Sequence, residues 1–187
     1  MKLSFATQNK HKFQEAAAVL STYGIEIEQL DVHYMEDKEV SIQETAKRAA
    51  KELAEEHQKP VIVDDTGVFF SAYDNFPGAN AKLNFHSLGY EGLLILLAGK
   101  KREAYFLSCV GFCLPGKEPV LFEGRLDGRI TMIPFNLEKD VLPYERIFVP
   151  KGETRTLSAM TREEKNKISH RAAAFGKLGV YLKKGKF

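Results

Sequence analysis

Absences narrow the field first. No apolar run approaches the roughly 20 residues that a membrane-spanning helix requires, since Leu93 to Ala98 falls far short of it. No secretory-type apolar segment follows Met1, and there is no internal repeat, low-complexity tract or linker-like composition. Cysteine is scarce. Cys109 and Cys113 are the whole complement, and four residues apart in an extended strand their Cα atoms would lie about 13 Å from each other, beyond disulfide reach. Free core thiols fit a reducing compartment, so the expectation is a compact cytoplasmic protein with no membrane partner. An excess of one charge is also missing: 27 basic against 25 acidic residues leave a formal net charge of +2. That is too little to draw the chain to nucleic acid, so any affinity for an anion has to be local. At 187 residues the chain reads as one domain, 1–187, with room for a sizeable core and for two lobes around a cleft.

What is present centres on Pro60-Val-Ile-Val-Asp-Asp-Thr-Gly67. Three β-branched residues without polar relief suit a strand buried on both faces. Asp64 and Asp65 are then expected at its C-terminal end, with Gly67 turning the chain. Ligands of open α/β sheets collect at that end. Two adjacent carboxylates repel, which calls for a cation, a basic side chain or a retained proton. A divalent metal carrying a phosphate is one answer, and an Asx-type turn capping backbone amides is the plain structural alternative.

Around this stretch the pattern alternates strands and helices. Lys2 to Thr7 reads as a first strand, and Asn9 as the N-cap of a helix with Phe13, Ala16, Ala17 and Leu20 on one stripe. The join, Thr7-Gln-Asn-Lys-His-Lys12, lacks the glycines of a Walker or dinucleotide loop, yet a helix start with two lysines can seat phosphate. Ile25 to Leu30 reads as a strand, residues 31 to 40 as an acidic irregular connection, and Ser41-Ile-Gln-Glu44 as a capping box opening a helix to about His57. Phe76-Pro-Gly78 is expected as a turn, followed by two short helices broken at Gly89. Glu103 to Leu114 has apolar residues on both alternations, as a central strand does, and Val120 to Ile130 returns antiparallel, with bulges expected at Gly124 and Gly128. A long loop at 133 to 146, a second capping box at Thr161-Arg-Glu-Glu164 and a last helix from Ser169-His170-Arg171 complete the chain. Helical and hairpin connections together imply an α/β fold with a mixed central sheet and flanking helices.

Several separated segments, Ala6-Thr-Gln-Asn-Lys-His-Lys12 with Glu15, Glu44-Thr-Ala46, Val63-Asp-Asp-Thr-Gly67, Phe76-Pro-Gly78, Phe122-Glu-Gly124, Ile147-Phe148 and Glu164-Lys-Asn-Lys-Ile-Ser-His-Arg171, together resemble the inosine triphosphate pyrophosphatases. The resemblance runs from residue 2 to about 180. It implies two lobes around a nucleotide-binding cleft, a homodimer, and magnesium-dependent hydrolysis of deaminated purine triphosphates such as ITP, dITP or XTP to monophosphate and pyrophosphate. On that reading Asp65 activates water and holds Mg2+, helped by Asp64 or by an acid of the 36-to-39 loop such as Asp37. Thr7, Asn9, Lys12, Thr66 and Lys165 hold phosphates. His170 and Arg171 meet the base, together with Tyr144 and Glu145 of the long loop.

The sequence also departs from that pattern. Val141-Leu-Pro-Tyr-Glu-Arg-Ile-Phe148 replaces Gly-Phe-Gly-Tyr-Asp-Pro-Ile-Phe, exchanging a stacking Phe for Leu142 and an Asp for Glu145, and Ala49 stands where many members carry lysine. Two competing readings therefore remain: a nucleotide-binding or regulatory homologue with little catalysis, and a house-cleaning pyrophosphatase for other modified nucleotides. A haloacid-dehalogenase-like phosphatase is excluded by the adjacent acids, which lack that family's Asp-x-Asp spacing.

Overall fold

A computed structural model describes residues 2–34 and 40–185, with the side chain of Lys2 outside that description. The chain opens with β1 (Lys2–Ala6), after which Asn9 caps α1 (Lys10–Ser21) by accepting from the amides of His11 and Lys12. Next come β2 (Glu26–Leu30) and α2 (Ile42–His57), where Ser41 accepts from the Glu44 amide. β3 (Val61–Phe70), β4 (Pro77–Gly78) and α3 (Ala81–Leu96) follow. α3 is two helical pieces meeting at Gly89, whose φ of 59° and ψ of −168° only glycine adopts readily, as the sequence predicts. β5 (Glu103–Cys113) and β6 (Val120–Ile130) form a long hairpin. The remainder is a 3-10 turn at Pro143–Arg146, β7 (Phe148–Pro150), a second 3-10 turn at Leu157–Ala159, α4 (Arg162–Ile168) and α5 (His170–Lys183).

Among the described residues the strands form one mixed sheet in the order β2-β1-β3-β5-β6-β7, with β4 added to the far end of β3. β1 runs parallel to β2 and β3, and the remaining pairs are antiparallel. Alternation along the strands sorts side chains to two faces. Phe5, Ile62, Val110 and Phe112 pack under α1 and α5 with Phe175 and Leu178, while Val61, Val63 and Cys113 pack under α2 with Ala50 and Leu53. The lower ends of β3 and β5 feed a separate core built from Val68, Phe70, Phe106, Leu93, Tyr144 and Phe148. Three long strands thus carry two lobes. Cys109 and Cys113 are buried and free, as their spacing predicts, and no helix among the described residues is long and apolar enough to cross a membrane.

Three local expectations are corrected. β3 does not end at the aspartates but runs on to Phe70, in unbroken register with β5. Gly67 is therefore no turn residue: it makes room for the ring of Phe69, which a Cβ would approach to 2.7 Å. Gly124 and Gly128 are not bulges either, since β6 pairs β5 without interruption. A Cβ at Gly124 would collide with the His170 carbonyl, and one at Gly128 with the Val149 carbonyl, so both glycines admit a neighbouring backbone.

Candidate active site

The sheet carries a gap beside the two aspartates. β1 pairs β3 only as far as Val63, and β4 resumes on the same edge at Val68. Among the described residues no strand covers Asp64–Gly67 there. The gap lies just beyond the C-terminal end of β1, where α1 begins, and β1 is the strand from which the parallel order spreads to both sides. This is the switch-point position at which open α/β sheets receive ligands. Lys12, on the first turn of α1, reaches it and donates from Nζ to the Asp64 main-chain carbonyl at 2.8 Å.

Strand alternation separates the paired acids. Asp64 shares a face with Thr66 and Ser108 under α1 and α5, whereas Asp65 shares the α2 face with Cys109. Asp64 is the more enclosed: its side chain is 0% exposed. Its Oδ1 accepts from Ser108 Oγ at 2.7 Å and Thr66 Oγ1 at 3.0 Å, and its Oδ2 from Arg171 Nε at 2.8 Å, with Lys12 Nζ 3.5 Å away. Burial opposes ionisation, but Lys12, Arg171 and the hydrogen bonds from Arg171 and Ser108 outweigh it and hold this carboxyl well below the usual carboxylate range. Both carboxylate oxygens are thereby engaged by protein groups, and Asp64 anchors Arg171 and Lys12. Asp65, 4% exposed, lies at the gap with Oδ1 accepting from the Thr66 amide at 2.9 Å.

From Asp64 a chain of charges crosses to the other lobe. Arg171, 2% exposed, also donates to Glu15 Oε2 at 2.5 Å and to Thr66 Oγ1 at 3.3 Å. Glu15 in turn accepts from Lys165 Nζ at 3.2 Å, and Lys165 holds both carboxylate oxygens of Glu145 at 3.0 Å. Burial opposes the charge of Glu15 but is outweighed by Arg171 and Lys165, which keep its pKa lowered. Burial also dominates at Glu145, where Lys165 offsets it only in part and the pKa is raised. His170 stacks on Phe106 at 4.7 Å and 10°, and burial with the nearby Arg171 pushes it down to about 3, so the ring is neutral. Its Nδ1 is buried without a hydrogen-bond partner among the described residues.

The structure thus brings Lys12, Asp64, Thr66, Lys165, Glu145 and Arg171 into one connected network, with Asp65 on the opposite face of β3. Thr7 and Asn9 stand at the start of α1, where Thr7 Oγ1 accepts from the Asn9 amide and Asn9 Oδ1 is spent on capping. Tyr144 is drawn elsewhere: its hydroxyl donates to the Ala81 carbonyl at 2.9 Å, and its ring packs on Phe70 and Phe85 in the lower core. Asp37 lies outside the described residues. The sequence does not single out Ser108, and Glu15 stands there only as part of the family resemblance, with no role assigned. The available signals are a carboxylate three residues after Lys12 on the same helical face and a lone hydroxyl between Phe106 and Val110 on the buried face of a central strand.

Fold and site define a mixed-sheet α/β protein with a buried charge network beside an uncovered stretch of its central strand β3. The chain belongs to the Ham1 family, whose sequence model matches residues 3–181. A dITP/XTP pyrophosphatase of Methanopyrus kandleri is 42% identical over 184 residues, covering 98% of this chain and 97% of that protein. The dITP/XTP pyrophosphatase of Thermococcus kodakarensis is 38% identical, with 98% of each chain covered. Among solved structures, a HAM1 protein from Coxiella burnetii shares the fold at a TM-score of 0.82, covering 98% of this chain and 99% of its own at 24% identity. A nucleoside-triphosphatase described as a dITP/XTP pyrophosphatase, from Mycobacterium abscessus, gives a TM-score of 0.70 at 30% identity, covering 95% and 97%.

Proposed function

We propose that this protein hydrolyses deaminated purine nucleoside triphosphates of the dITP and XTP type to the monophosphate and pyrophosphate. The observation that carries the reading is the division of labour across β3: Asp65 at an uncovered strand edge, with a buried, fully charged Arg171 fixed by Asp64 on the opposite face. Near-full-length similarity to dITP/XTP pyrophosphatases supports it.

The start of α1 receives the phosphates. Lys12 spends one ammonium N–H on the Asp64 carbonyl and retains others to donate to phosphate oxygens, while the helix start adds its favourable dipole end. Asp65 takes a proton from the attacking water. The water oxygen bonds to the α-phosphorus as the bond from that phosphorus to the bridging oxygen breaks, and pyrophosphate departs. Arg171 has five N–H groups, of which Asp64, Glu15 and Thr66 occupy three. The two left can donate to the 6-carbonyl of a deaminated purine. An amino group there would set donor against donor in a buried site, a strong ground for rejection.

Magnesium suits the donor set: it is commonly held by one or two carboxylates plus substrate phosphates, and Asp65 offers a hard carboxylate beside the phosphate seat. Asp65 would hold the ion, which when bound would supply charge neutralisation and a lowered pKa for the attacking water. A homodimer is part of the same reading, and light scattering at twice 21.1 kDa checks it.

The test is pyrophosphate release from dITP, XTP, dATP and dGTP in magnesium buffer. Turnover of dITP and XTP well above dATP and dGTP is expected. Tight nucleotide binding without release on any of them would favour the regulatory alternative, to which the buried alanine at position 49 lends some weight.

A further inference from the structure

Thr66, Ser108 and Gly124 stand side by side across β3, β5 and β6 on the face covered by α5. Each meets the start of that helix differently. Thr66 Oγ1 accepts from Arg171 Nη2. Gly124 lies directly beneath the His170 carbonyl, and a Cβ there would also come within 2.6 Å of the Ala174 amide nitrogen. Ser108 reaches the helix indirectly: its hydroxyl donates to Asp64 Oδ1, and the other oxygen of that carboxylate accepts from Arg171 Nε.

Ser108 is fully buried, and a hydroxyl in such a place costs stability unless it is bonded. The bond it makes has a directional consequence. A carboxylate turns easily about its terminal torsion, and Ser108 and Thr66 grip the same oxygen from two strands, which fixes the carboxylate plane. Lys12 does little of this, because its short contact is to the main-chain carbonyl of Asp64. The guanidinium of Arg171 then takes its direction from Asp64, Glu15 and Thr66 together.

We infer that Ser108 is a positioning residue for base recognition: through Asp64 it aims Arg171, and so sets the preference for a purine bearing a 6-carbonyl over one bearing a 6-amino group. The inference rests on the proposed pyrophosphatase activity. Because Asp65 faces the other side of β3, its work on the attacking water is independent of this bond. Substitution at Ser108 therefore alters KM and base preference, and leaves kcat in place.

The experiment compares the full-length protein with Ser108→Ala, Ser108→Thr and Ser108→Cys, using dITP and dATP with magnesium and pyrophosphate detection. Wild-type turnover of dITP tests the underlying activity on its own, so the two failures are distinguishable. In Ser108→Ala the KM for dITP rises about tenfold and the dITP over dATP preference narrows by about the same factor, with kcat within about threefold of wild type. Ser108→Thr keeps the hydroxyl and restores both values. Ser108→Cys, nearly isosteric and a weaker donor, falls between them and carries the test if the alanine variant does not fold. Unchanged KM and preference in the alanine or cysteine variant would overturn the inference. So would equal losses in the alanine and threonine variants, or a fall confined to kcat.

Discussion

Asp64 and Asp65 are adjacent in sequence and opposite in environment. Asp64 pairs with Arg171 and Lys12 inside the protein, so Asp64→Asn leaves the buried Arg171 with Glu15 as its one carboxylate partner among the described residues and is expected to destabilise the fold by about 3 kcal/mol or more, measured by urea unfolding at neutral pH. A loss below about 1 kcal/mol would contradict the anchoring role. His170 supplies a second prediction. Its folded pKa of about 3 lies below the ordinary histidine value, so the unfolded chain binds the extra proton as pH falls. The stability from keeping this ring neutral is full above about pH 6.5 and drains away as the pH drops toward the folded value, amounting to about 2 kcal/mol by pH 5. His170→Phe keeps an aromatic ring over Phe106 and removes that slope. Unfolding free energies at pH 7 and pH 5 should diverge in the wild type and converge in the variant, and equal slopes would refute the assignment. Glu145, with its raised pKa, contributes with the opposite sign, stabilising below the ordinary glutamate value and losing that as pH rises, but equally in both proteins.

Elements were readable where a local rule acts alone. The capped starts at Asn9, Ser41 and Thr161, the break at Gly89 and the two-faced apolar strand at Glu103–Cys113 follow from capping, backbone freedom and burial. The glycines of β3 and β6 misled, because a glycine in a strand reads as a turn or bulge until the neighbouring backbone is known. The same limit hid the site's wiring. Which carboxylate meets Arg171 depends on strand alternation and on the pairing Thr66 to Ser108 to Gly124, and Glu15 joins the network only once α1 lies beside α5. Gly124→Ala tests that packing. Its Cβ would force the first turn of α5 off β6, and a loss of about 3 kcal/mol in unfolding free energy is expected. A variant with wild-type stability would show that α5 does not sit as closely as described.

At the scale of the molecule, β3, β5 and β6 run through both lobes, and the gap beside Asp64–Gly67 is where the lobes part. The charge chain from Asp64 through Arg171, Glu15 and Lys165 to Glu145 ties α1, α4 and α5 to the 3-10 turn of the lower lobe. On the proposed reading, base and phosphate recognition draw on both ends of the polypeptide. Proton abstraction is assigned to a single carboxylate on the strand between them. Pyrophosphate release from dITP by wild type and Asp65→Asn, each with magnesium and with chelator, tests that assignment most directly. The prediction is a loss of about a thousandfold or more in kcat for the variant, an unchanged melting temperature, and no wild-type turnover in chelator. An Asp65→Asn protein that releases pyrophosphate at the wild-type rate would contradict it.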